Sequence, residues 1–401
     1  MTLLGDALLD EAGDLLDEVV ALRRRIHRRP ELGLDLPVTQ ATIREALDGL
    51  GLDVRTGTAT TSVVADLRGG AGDGPTVLLR GDMDALPMPE DTGVDFASEV
   101  AGAMHACGHD AHVSMLVGAA RLLAARRDQI AGTVRFMFQP GEEGFGGAKV
   151  MIDEGVLDGV DAAFAMHITP NLPSGWITTK PGPLMASSDE LFITVRGRGG
   201  HASTPHFAAD PIPVACEIVS AISTFVTRQI DAFNPAIVTI TKITAGTTVN
   251  VIPASAEMAG TIRSVSERTR DAVDRGVTRL ATKIAEAHGL EAEVHVRRGY
   301  PVTVNHAAAA HRVLEVASGL LGADRVVESP APVMGAEDWS YVLQQVPGAM
   351  AFLGVCPPEI ADPRQAPACH SNLMRLDEPA MAAGVALHTA MALDLLERPL
   401  A

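Results

Sequence analysis

With 401 residues the chain is long enough for two domains, because single hydrophobic cores rarely grow beyond about 250–300 residues. Its formal net charge of −18 argues against nucleic acid and against anionic membrane surfaces as partners. Four cysteines, and an acidic amino-terminal stretch without the features of a signal peptide, predict reduced thiols and a cytoplasmic location.

Helix and strand patterns alternate through the first part of the chain. A helix is predicted over about Leu15–Arg29, and Pro30 ends it. A second helical pattern follows Asp110, which we interpret as its N-cap. The strands, each followed by polar residues, are predicted at Thr76–Arg80, Thr133–Phe138 and Asp161–Met166. This alternation predicts a wound α/β sheet with its site at the carboxyl ends of the strands.

A different pattern runs from Glu190 to Arg298. Its order is strand, helix, strand, strand, helix, strand, which is typical of a small ferredoxin-like α+β domain. Pro181-Gly182-Pro183 indicates a linker before it, and the chain returns to the first domain after Pro301. We therefore predict a discontinuous catalytic domain over residues 1–183 and 300–401, into which residues 184–299 are inserted.

The stretch Met104–His112 has the composition of a metal site. Within nine residues it holds three histidines, a cysteine and an aspartate. Thiolate and imidazole ligands suit Zn, Co, Ni or Mn rather than calcium. Gly108 lets the backbone turn, so that Cys107 and His109 can face one ion. A histidine-rich surface loop is the alternative, and the density of ligand side chains favours the metal site.

Carboxylates also follow predicted strands. Asp82 and Asp84 are two residues apart at a strand end, so both lie on one face, where they either orient imidazoles or form a turn. In the pair Glu142-Glu143, one carboxylate can bind a metal while its neighbour deprotonates water. A solvated acidic turn is the other reading of this pair, and the neighbouring ligand clusters favour catalysis.

Two single histidines complete the candidate ligands. His167 ends an apolar strand, and His370 follows Cys369, which is a competing thiol. Each histidine alone would more often be an ordinary hydrogen-bonded residue than a ligand. Together with Cys107, His109 and Glu143 they make five candidate ligands. Two closely spaced metal ions that share one bridging ligand require about this number.

Six ordered motifs resemble one family, the metal-dependent amidohydrolases and carboxypeptidases that include aminoacylases. The branch is that of hippurate hydrolases and auxin-conjugate amidohydrolases, and Arg25–Gly33 is similar to its opening motif. The resemblance covers nearly the whole chain. The six motifs are Arg80–Pro87, His105–Asp110, Gln139–Gly144, Gly200–Pro205, Asn250–Pro253 and Glu337-Asp338.

The resemblance implies a dinuclear site for two divalent transition-metal ions (Zn, Mn, Co or Ni), bridged by Cys107. Glu142 is implied to be the general base and later the acid, and Asp84 to be the aspartate that orients a ligand. Asp82 stands where many relatives outside this branch have a ligand histidine. The implied ligands are Cys107, His109, Glu143, His167 and His370.

For the inserted domain the resemblance implies a lid that also forms a homodimer. His201 would polarise the scissile carbonyl, while Asn250 and Arg263 would receive the substrate carboxylate. Two departures from the family pattern bear on substrate identity. They are Gly141, where alanine is usual, and Trp339, where phenylalanine is usual.

The function predicted from the sequence is hydrolysis of N-acyl-L-amino acids, as small-molecule substrates, to a carboxylate and a free amino acid. An N-acetyl-diaminopimelate-type deacetylase and a dipeptidase or carboxypeptidase are alternatives at the same site. A further enzymatic alternative makes Cys107 a covalent nucleophile with His109 as its base. The non-enzymatic alternative is a metal-binding regulator or storage protein, and Glu142 argues against it because binding alone needs no second, non-ligating base.

Overall fold

A computed structural model describes residues 2–400, with side chains from residue 7 onward. The chain divides into two compact units, and each is discontinuous in sequence. The first unit comprises Met1–Leu184, Val304–Ala331 and Tyr341–Ala401, and the second comprises Met185–Thr303 and Pro332–Ser340. The sequence placed residues 332–340 in the catalytic domain, whereas the structure groups them with the second unit. Backbone hydrogen bonds explain this, because the Ala186 amide donates to the carbonyls of Val333 and Gly335.

The helices and strands of the described residues are numbered in chain order. The helices are α1 (Thr2–Asp14), α2 (Leu16–His27), α3 (Pro37–Leu47), α4 (His109–Ala124), α5 (Gly147–Asp153), α6 (Pro211–Gln229), α7 (Glu267–Ala287), α8 (Ala307–Leu321), α9 (Ser340–Leu343) and α10 (Met381–Glu397). The strands are β1 (Asp53–Thr56), β2 (Val63–Arg68), β3 (Thr76–Asp82), β4 (Thr133–Gln139), β5 (Ala162–Thr169), β6 (Ile177–Thr179), β7 (Gly182–Met185), β8 (Asp189–Arg196), β9 (Gly200–His201), β10 (Ala236–Ala245), β11 (Val251–Ile252), β12 (Ser255–Ser264), β13 (Glu291–Arg298), β14 (Thr303–Asn305), β15 (Val326–Glu328) and β16 (Gly348–Gly354).

A mixed sheet forms the centre of the first unit, in the order β1-β2-β4-β3-β5-β16-β6-β15. Its central strands β4, β3, β5 and β16 run parallel, while β2 is antiparallel to β4 and β6 is antiparallel to β16. Strand β3 is buried along nearly its whole length, as expected for a central strand of a parallel sheet. Helices α4 and α10 pack on β3 and β5. The predicted wound α/β sheet is confirmed.

The second unit contains an antiparallel sheet in the order β10-β12-β8-β13, with α6 and α7 packed on it. Its chain order is strand, helix, strand, strand, helix, strand. Residues of β8 alternate between buried and more exposed positions, as they do in a sheet with one covered face. The apolar side chains on the covered face form a core of their own with those of α6 and α7.

Helix α10 lies in the core of the first unit although its composition is that of a membrane span. The stretch Glu378–Glu397 is long and apolar enough to cross a bilayer, but 72% of its most apolar window is buried within the protein. It packs against α1, α4 and α8. Its apolarity is therefore accounted for by contacts inside the fold.

The start of α4 differs from the sequence prediction. Asp110 was expected to be the N-cap, and this is wrong, because the helix begins at His109 and Gly108 precedes it in a left-handed conformation with φ of 81°. The Asp110 carboxylate instead accepts hydrogen bonds from Arg23 Nε (3.0 Å) and His27 Nδ1 (2.8 Å) on α2. A buried ion-pair network, rather than a local cap, therefore uses this carboxylate and holds α2 against α4.

His27 is held in its charged form by this network. Burial lowers its pKa, but the carboxylates of Asp110 and Glu90 outweigh burial and raise the pKa from 6.5 to about 9. His27 Nε2 lies 3.2 Å from both Glu90 oxygens, and the His27 side chain is almost fully buried. Because the folded state binds this proton more tightly than the unfolded chain, protonation of His27 stabilises the fold.

We predict that this stabilisation is fully present below about pH 6.5 and is lost as the pH rises through about 9. For metal-free protein the loss should be up to about 3 kcal/mol, the free-energy equivalent of the pKa shift. Denaturant unfolding at a series of pH values measures it. His27→Gln should lack this pH-dependent component, and a parallel loss in both proteins would show that another group is responsible.

Candidate metal centre

The candidate ligands of the first unit lie where three neighbouring parallel strands end. Asp82 is the last residue of β3, the pair Glu142-Glu143 follows β4, and His167 lies near the end of β5. The carboxyl ends of parallel strands meet at one edge of the sheet, so these side chains converge. His109 is added as the first residue of α4.

Gly108 allows the side chains of its two neighbours, Cys107 and His109, to point toward the same metal position. A side chain at this position would have to adopt a left-handed backbone and would meet the Ile168 side chain at 2.5 Å. The turn predicted between Cys107 and His109 is therefore present, and glycine is required there.

The structure brings the five predicted ligands into one cluster. The ligand atoms of Cys107, His109 and His167 lie within 4.8 Å of one another, and those of Cys107, Glu143 and His370 do so as well. Cys107 Sγ is 3.3 Å from His167 Nε2, and His370 Nε2 is 3.1 Å from Glu143 Oε1. Cys107 belongs to both groups of three, which is the position that a bridging ligand would occupy.

Backbone carbonyls orient two of the imidazoles for metal binding. His109 Nδ1 lies 2.9 Å from the Asp84 carbonyl oxygen, and His167 Nδ1 lies 2.6 Å from that of Ile168. A carbonyl can only accept, so each Nδ1 carries a hydrogen, and Nε2 is the nitrogen left for a metal ion. His109 Nε2 is buried and has no hydrogen-bond partner among the described residues. A divalent metal ion fits this arrangement, since it would satisfy that atom.

The charges of the cluster favour a bound cation. Burial lowers the pKa of His109, but the carboxylates of Asp82, Asp84 and Glu143 outweigh it and raise the pKa to about 10. Burial raises the pKa of Glu143, yet the hydrogen bond from His370 and the charge of His109 bring it below its ordinary value. Without a metal, protons therefore balance these carboxylates, and a divalent ion can take their place.

Cys107 and Cys369 interact directly. Their hydrogen bond raises the pKa of Cys107, to which burial adds, while the same bond lowers the pKa of Cys369 to about 6. In the metal-free cluster Cys369 is therefore the more acidic of the two thiols. Metal coordination at Cys107 would reverse this, because a coordinating thiol is deprotonated outright.

Asp84 fixes the loop that carries the two glutamates. Its carboxylate accepts the backbone N–H of Glu142 at 3.0 Å and that of Glu143 at 3.1 Å. Asp84 is itself buried. The Glu142 carboxylate comes within 4.8 Å of the ligand atoms of His109 and Glu143. One glutamate is therefore placed among the ligands and the other beside them.

Gly141 matches a special conformation of this loop. Its φ is 74°, and a Cβ there would lie 2.4 Å from Leu34 Cδ2. Alanine, the residue usual in the resembling family, would be strained in this backbone and would displace Leu34. The glycine is therefore required by the conformation that this chain adopts in front of Glu142.

His112 is a buried histidine of the cluster to which the sequence assigned no role. Its Nδ1 lies 2.5 Å from Asp82 Oδ1, and the Asp82, His109 and His112 ligand atoms form a further close group. The His112 Nε2 atom, however, accepts the N–H of Ile168 at 2.9 Å. Both ring nitrogens are thus in use. The signal available in the sequence was its spacing, since it lies three residues after His109 on one helix face.

The predicted substrate-binding residues belong to the second unit. His201 on β9 pairs with Val251 on β11, and the Asn250 carbonyl accepts the Ala202 N–H at 3.1 Å, so His201 and Asn250 are neighbours. Both are exposed. Arg263 lies on β12 and is half-buried; burial lowers its pKa, opposed by the charge of Asp189.

The family model for Peptidase family M20/M25/M40 matches residues 78–394. The chain belongs to this family. The match covers the strand ends, the ligand cluster and the whole second unit. The predicted metal-dependent amidohydrolase family is thereby confirmed, and the chain is a metal-dependent amidohydrolase.

Similar proteins extend over nearly the full length. The chain is 41% identical to thermostable carboxypeptidase 2 of Saccharolobus solfataricus, covering 97% of this chain and 98% of that protein. It is 37% identical to IAA-amino acid hydrolase ILR1-like 2 of Arabidopsis thaliana, covering 96% and 86%. It is 40% identical to N-acetylcysteine deacetylase of Bacillus subtilis, covering 84% and 88%.

A solved structure supports two ions in the cluster. It is a dinuclear metal-binding peptidase of the M20 family from Bacillus subtilis, 34% identical, with a TM-score of 0.84 and coverage of 96% of this chain and 99% of that one. Together with the two ligand groups that share Cys107, this likeness supports a site for two divalent metal ions.

We predict that purified protein binds about two divalent ions per chain and that Cys107→Ser loses at least one of them. Serine is a poor replacement, because an alcohol is far less acidic than a thiol and forms no comparable anionic bridge. Elemental analysis of both proteins measures this. Cys216→Ser, at an exposed position in the second unit, is the matched control and should keep both ions. An unaltered metal content in Cys107→Ser would contradict the bridging assignment.

Proposed function

We propose that this enzyme hydrolyses N-acyl-L-amino acids to a carboxylate and a free amino acid. The observation that carries the proposal is the position of Glu142. Its loop is held by the Asp84 carboxylate, and its side chain lies beside five converging ligands without being needed in either group of three around Cys107. A metal-binding regulator would have no use for such a group.

The proposed ligands are Cys107, His109, Glu143, His167 and His370, as the resemblance implies. Two divalent ions held there would polarise the amide carbonyl and acidify a water molecule. Glu142 would accept the proton of that water at its carboxylate and return it to the leaving nitrogen. Asp84 would keep Glu142 and Glu143 in fixed positions during the reaction, through its hydrogen bonds to both backbone amides. His201 would stabilise the oxyanion.

The substrate class is supported by the names of two relatives. IAA-amino acid hydrolase and N-acetylcysteine deacetylase both name an amino acid in amide linkage to an acyl group. The acyl group, the preferred amino acid and the metal (Zn, Mn, Co or Ni) are to be found by screening N-acyl amino acids with each metal in turn. In this proposal the second unit acts as the lid and dimerisation domain of a cytoplasmic homodimer.

Arg263 is proposed to receive the substrate carboxylate, with Asn250 donating beside it. A guanidinium matches a carboxylate in a planar fork. The nearby Asp189 carboxylate is already bound by Arg270, at 2.6 Å and 2.9 Å. Arg263 itself forms no ion pair with any side chain of the described residues. Its charge is therefore available to an anionic ligand.

Carboxypeptidase or dipeptidase activity is a second candidate, because a relative 41% identical over nearly the full length is named a carboxypeptidase. The same metal centre and the same carboxylate-binding pair would serve it. The N-acetyl-diaminopimelate-type deacetylase is also retained as a competitor. Comparing kcat/KM for N-acyl amino acids, N-acetyl-diaminopimelate and dipeptides decides among them. Full activity after chelation would instead favour Cys107 as a covalent nucleophile.

The two glutamates should fail in different ways. Glu142→Gln should keep both metals and lose about 10²–10⁴-fold in kcat, because only proton transfer is removed. Glu143→Gln should lose metal occupancy as well, since its carboxylate is a ligand. Metal analysis and steady-state kinetics on the same preparations test this. If both variants keep full metal and change only KM, the two roles are wrongly assigned.

A free α-carboxylate on the substrate should be required. Amidating it removes a charged hydrogen bond of about 1.5–3 kcal/mol, so kcat/KM should fall roughly 10- to 150-fold. Arg263→Ala should abolish most of this difference and leave the metals bound. Lys242→Ala, at an exposed position on the adjacent edge strand β10, is the control and should keep the discrimination. Equal kcat/KM values for acid and amide in the unmutated enzyme would remove the carboxylate from the model.

A further inference from the structure

We propose that His112 is a positioning residue that holds the ligand His167 in place through the backbone of Ile168. It looks like a ligand itself, because it is a buried histidine three residues after His109 with its ring 4.6 Å from that of His167. The inference rests on the metal centre and not on the identity of the substrate, so it can be tested without one.

The first step is the anchoring of His112 by a buried carboxylate. Asp82 Oδ2 is 2.7 Å from Arg80 Nη1, and Asp82 Oδ1 is 2.5 Å from His112 Nδ1. All three side chains are essentially inaccessible to solvent. The guanidinium fixes the carboxylate, and the carboxylate accepts the Nδ1 hydrogen. The tautomer and ring plane of His112 are thereby determined.

The second step connects His112 to the strand that carries His167. The parallel pairing of β5 with β3 ends at Ala165, opposite Arg80. Three residues further on, where β5 still pairs with β16 but no longer with β3, the Ile168 N–H donates to His112 Nε2 at 2.9 Å. The imidazole thus supplies an acceptor beyond the end of the pairing with β3. The Ile168 carbonyl then accepts Nδ1–H of His167 at 2.6 Å. Ile168 is thus hydrogen-bonded to His112 through its amide and to the proposed ligand His167 through its carbonyl.

Direct coordination by His112 is the competing explanation, and the hydrogen bonds oppose it. Nδ1 would have to release Asp82 and leave the paired carboxylate with one partner fewer. Nε2 would have to release a buried backbone N–H, which is costly to leave unsatisfied. His109 and His167 differ from His112 in this respect, because neither Nε2 is bonded to the backbone: that of His167 lies against the Cys107 thiol, and that of His109 has no hydrogen-bond partner among the described residues. His112 therefore acts on the metal centre through His167.

The experiment measures metal binding in three variants of the full-length protein. His112→Leu removes both hydrogen bonds. His112→Gln keeps an acceptor that can reach the Ile168 N–H. His388→Leu is the matched control, because His388 is a second fully buried histidine whose ring packs 5.3 Å from that of Phe164 on the same strand β5. Metal-free protein is titrated with Co²⁺, and both the affinity and the visible spectrum at saturation are recorded.

The expected result follows from the usual effect of groups that orient a ligand. His112→Leu should weaken binding of at least one Co²⁺ ion about 10- to 100-fold. His112→Gln should recover part of that loss, and His388→Leu should bind as the unmutated protein does. At saturating Co²⁺ the spectrum of His112→Leu should equal that of the unmutated protein, because all ligands are still present.

Two outcomes would overturn the inference. An altered spectrum at saturation, without recovery in His112→Gln, would make His112 a ligand. Unchanged affinity in a folded His112→Leu would leave it without influence on the metals. If His112→Leu does not fold, as judged by circular dichroism, the comparison of His112→Gln with His388→Leu decides, since the positioning role predicts intermediate affinity only for the former. None of these results depends on whether N-acyl amino acids are the substrates.

Discussion

The geometry of the site depends on Asp84, which is hydrogen-bonded both to His109 and to the loop of Glu142 and Glu143. Its backbone carbonyl orients His109 at the start of α4, and its carboxylate holds the backbone amides of Glu142 and Glu143 after β4. Both carboxylate oxygens of Asp84 are used in this way, Oδ1 by the Glu142 amide and Oδ2 by the Glu143 amide, so the side chain has a fixed orientation. One side chain therefore sets the distance between the imidazole ligand and the loop with the proposed base. The other proposed ligands are placed around that pair by the turn before α4 (Cys107), by the neighbouring strand end of β5 (His167) and by the loop before α10 (His370).

Burying so many acidic groups is tolerable only with compensating cations. Burial raises the pKa of Asp82, but Arg80, His109 and His112 outweigh it and hold the pKa well below its ordinary value. One buried guanidinium cannot also balance Asp84 and Glu143, so the metal-free cluster draws a proton to His109 instead. Removing one partner of such a buried set is far more damaging than breaking a surface pair. Where the ligand atoms converge, the buried carboxylates thus outnumber the fixed cationic side chains, which favours binding of a metal cation.

The sequence predicted most of what depends on local pattern and on ordered motifs. The wound sheet and the grouping of Cys107 with the glutamate pair followed from strand ends and ligand chemistry. What it missed depends on contacts between distant positions. The carboxylate of Asp110 is taken by α2, more than eighty residues earlier, so the N-cap expected from spacing does not form. The role proposed for His112, on α4, likewise depends on the N–H of Ile168 on β5. No spacing rule reports such a partner, because it is set by tertiary packing.

The two proposed ligands His167 and His370 are held in place by different means. His167 is buried within a strand, whereas His370 is half-exposed and lies in a loop with φ of 70°, the only described residue other than glycine with positive φ. A left-handed backbone at such a residue costs roughly 1–2 kcal/mol. The conformation is retained by the bond from the His370 amide to the Ala106 carbonyl at 2.8 Å, next to Cys107. The left-handed backbone therefore fixes the direction of the His370 imidazole. Its amide bonds to the residue beside Cys107, and a helical or extended backbone at this point would direct the imidazole elsewhere.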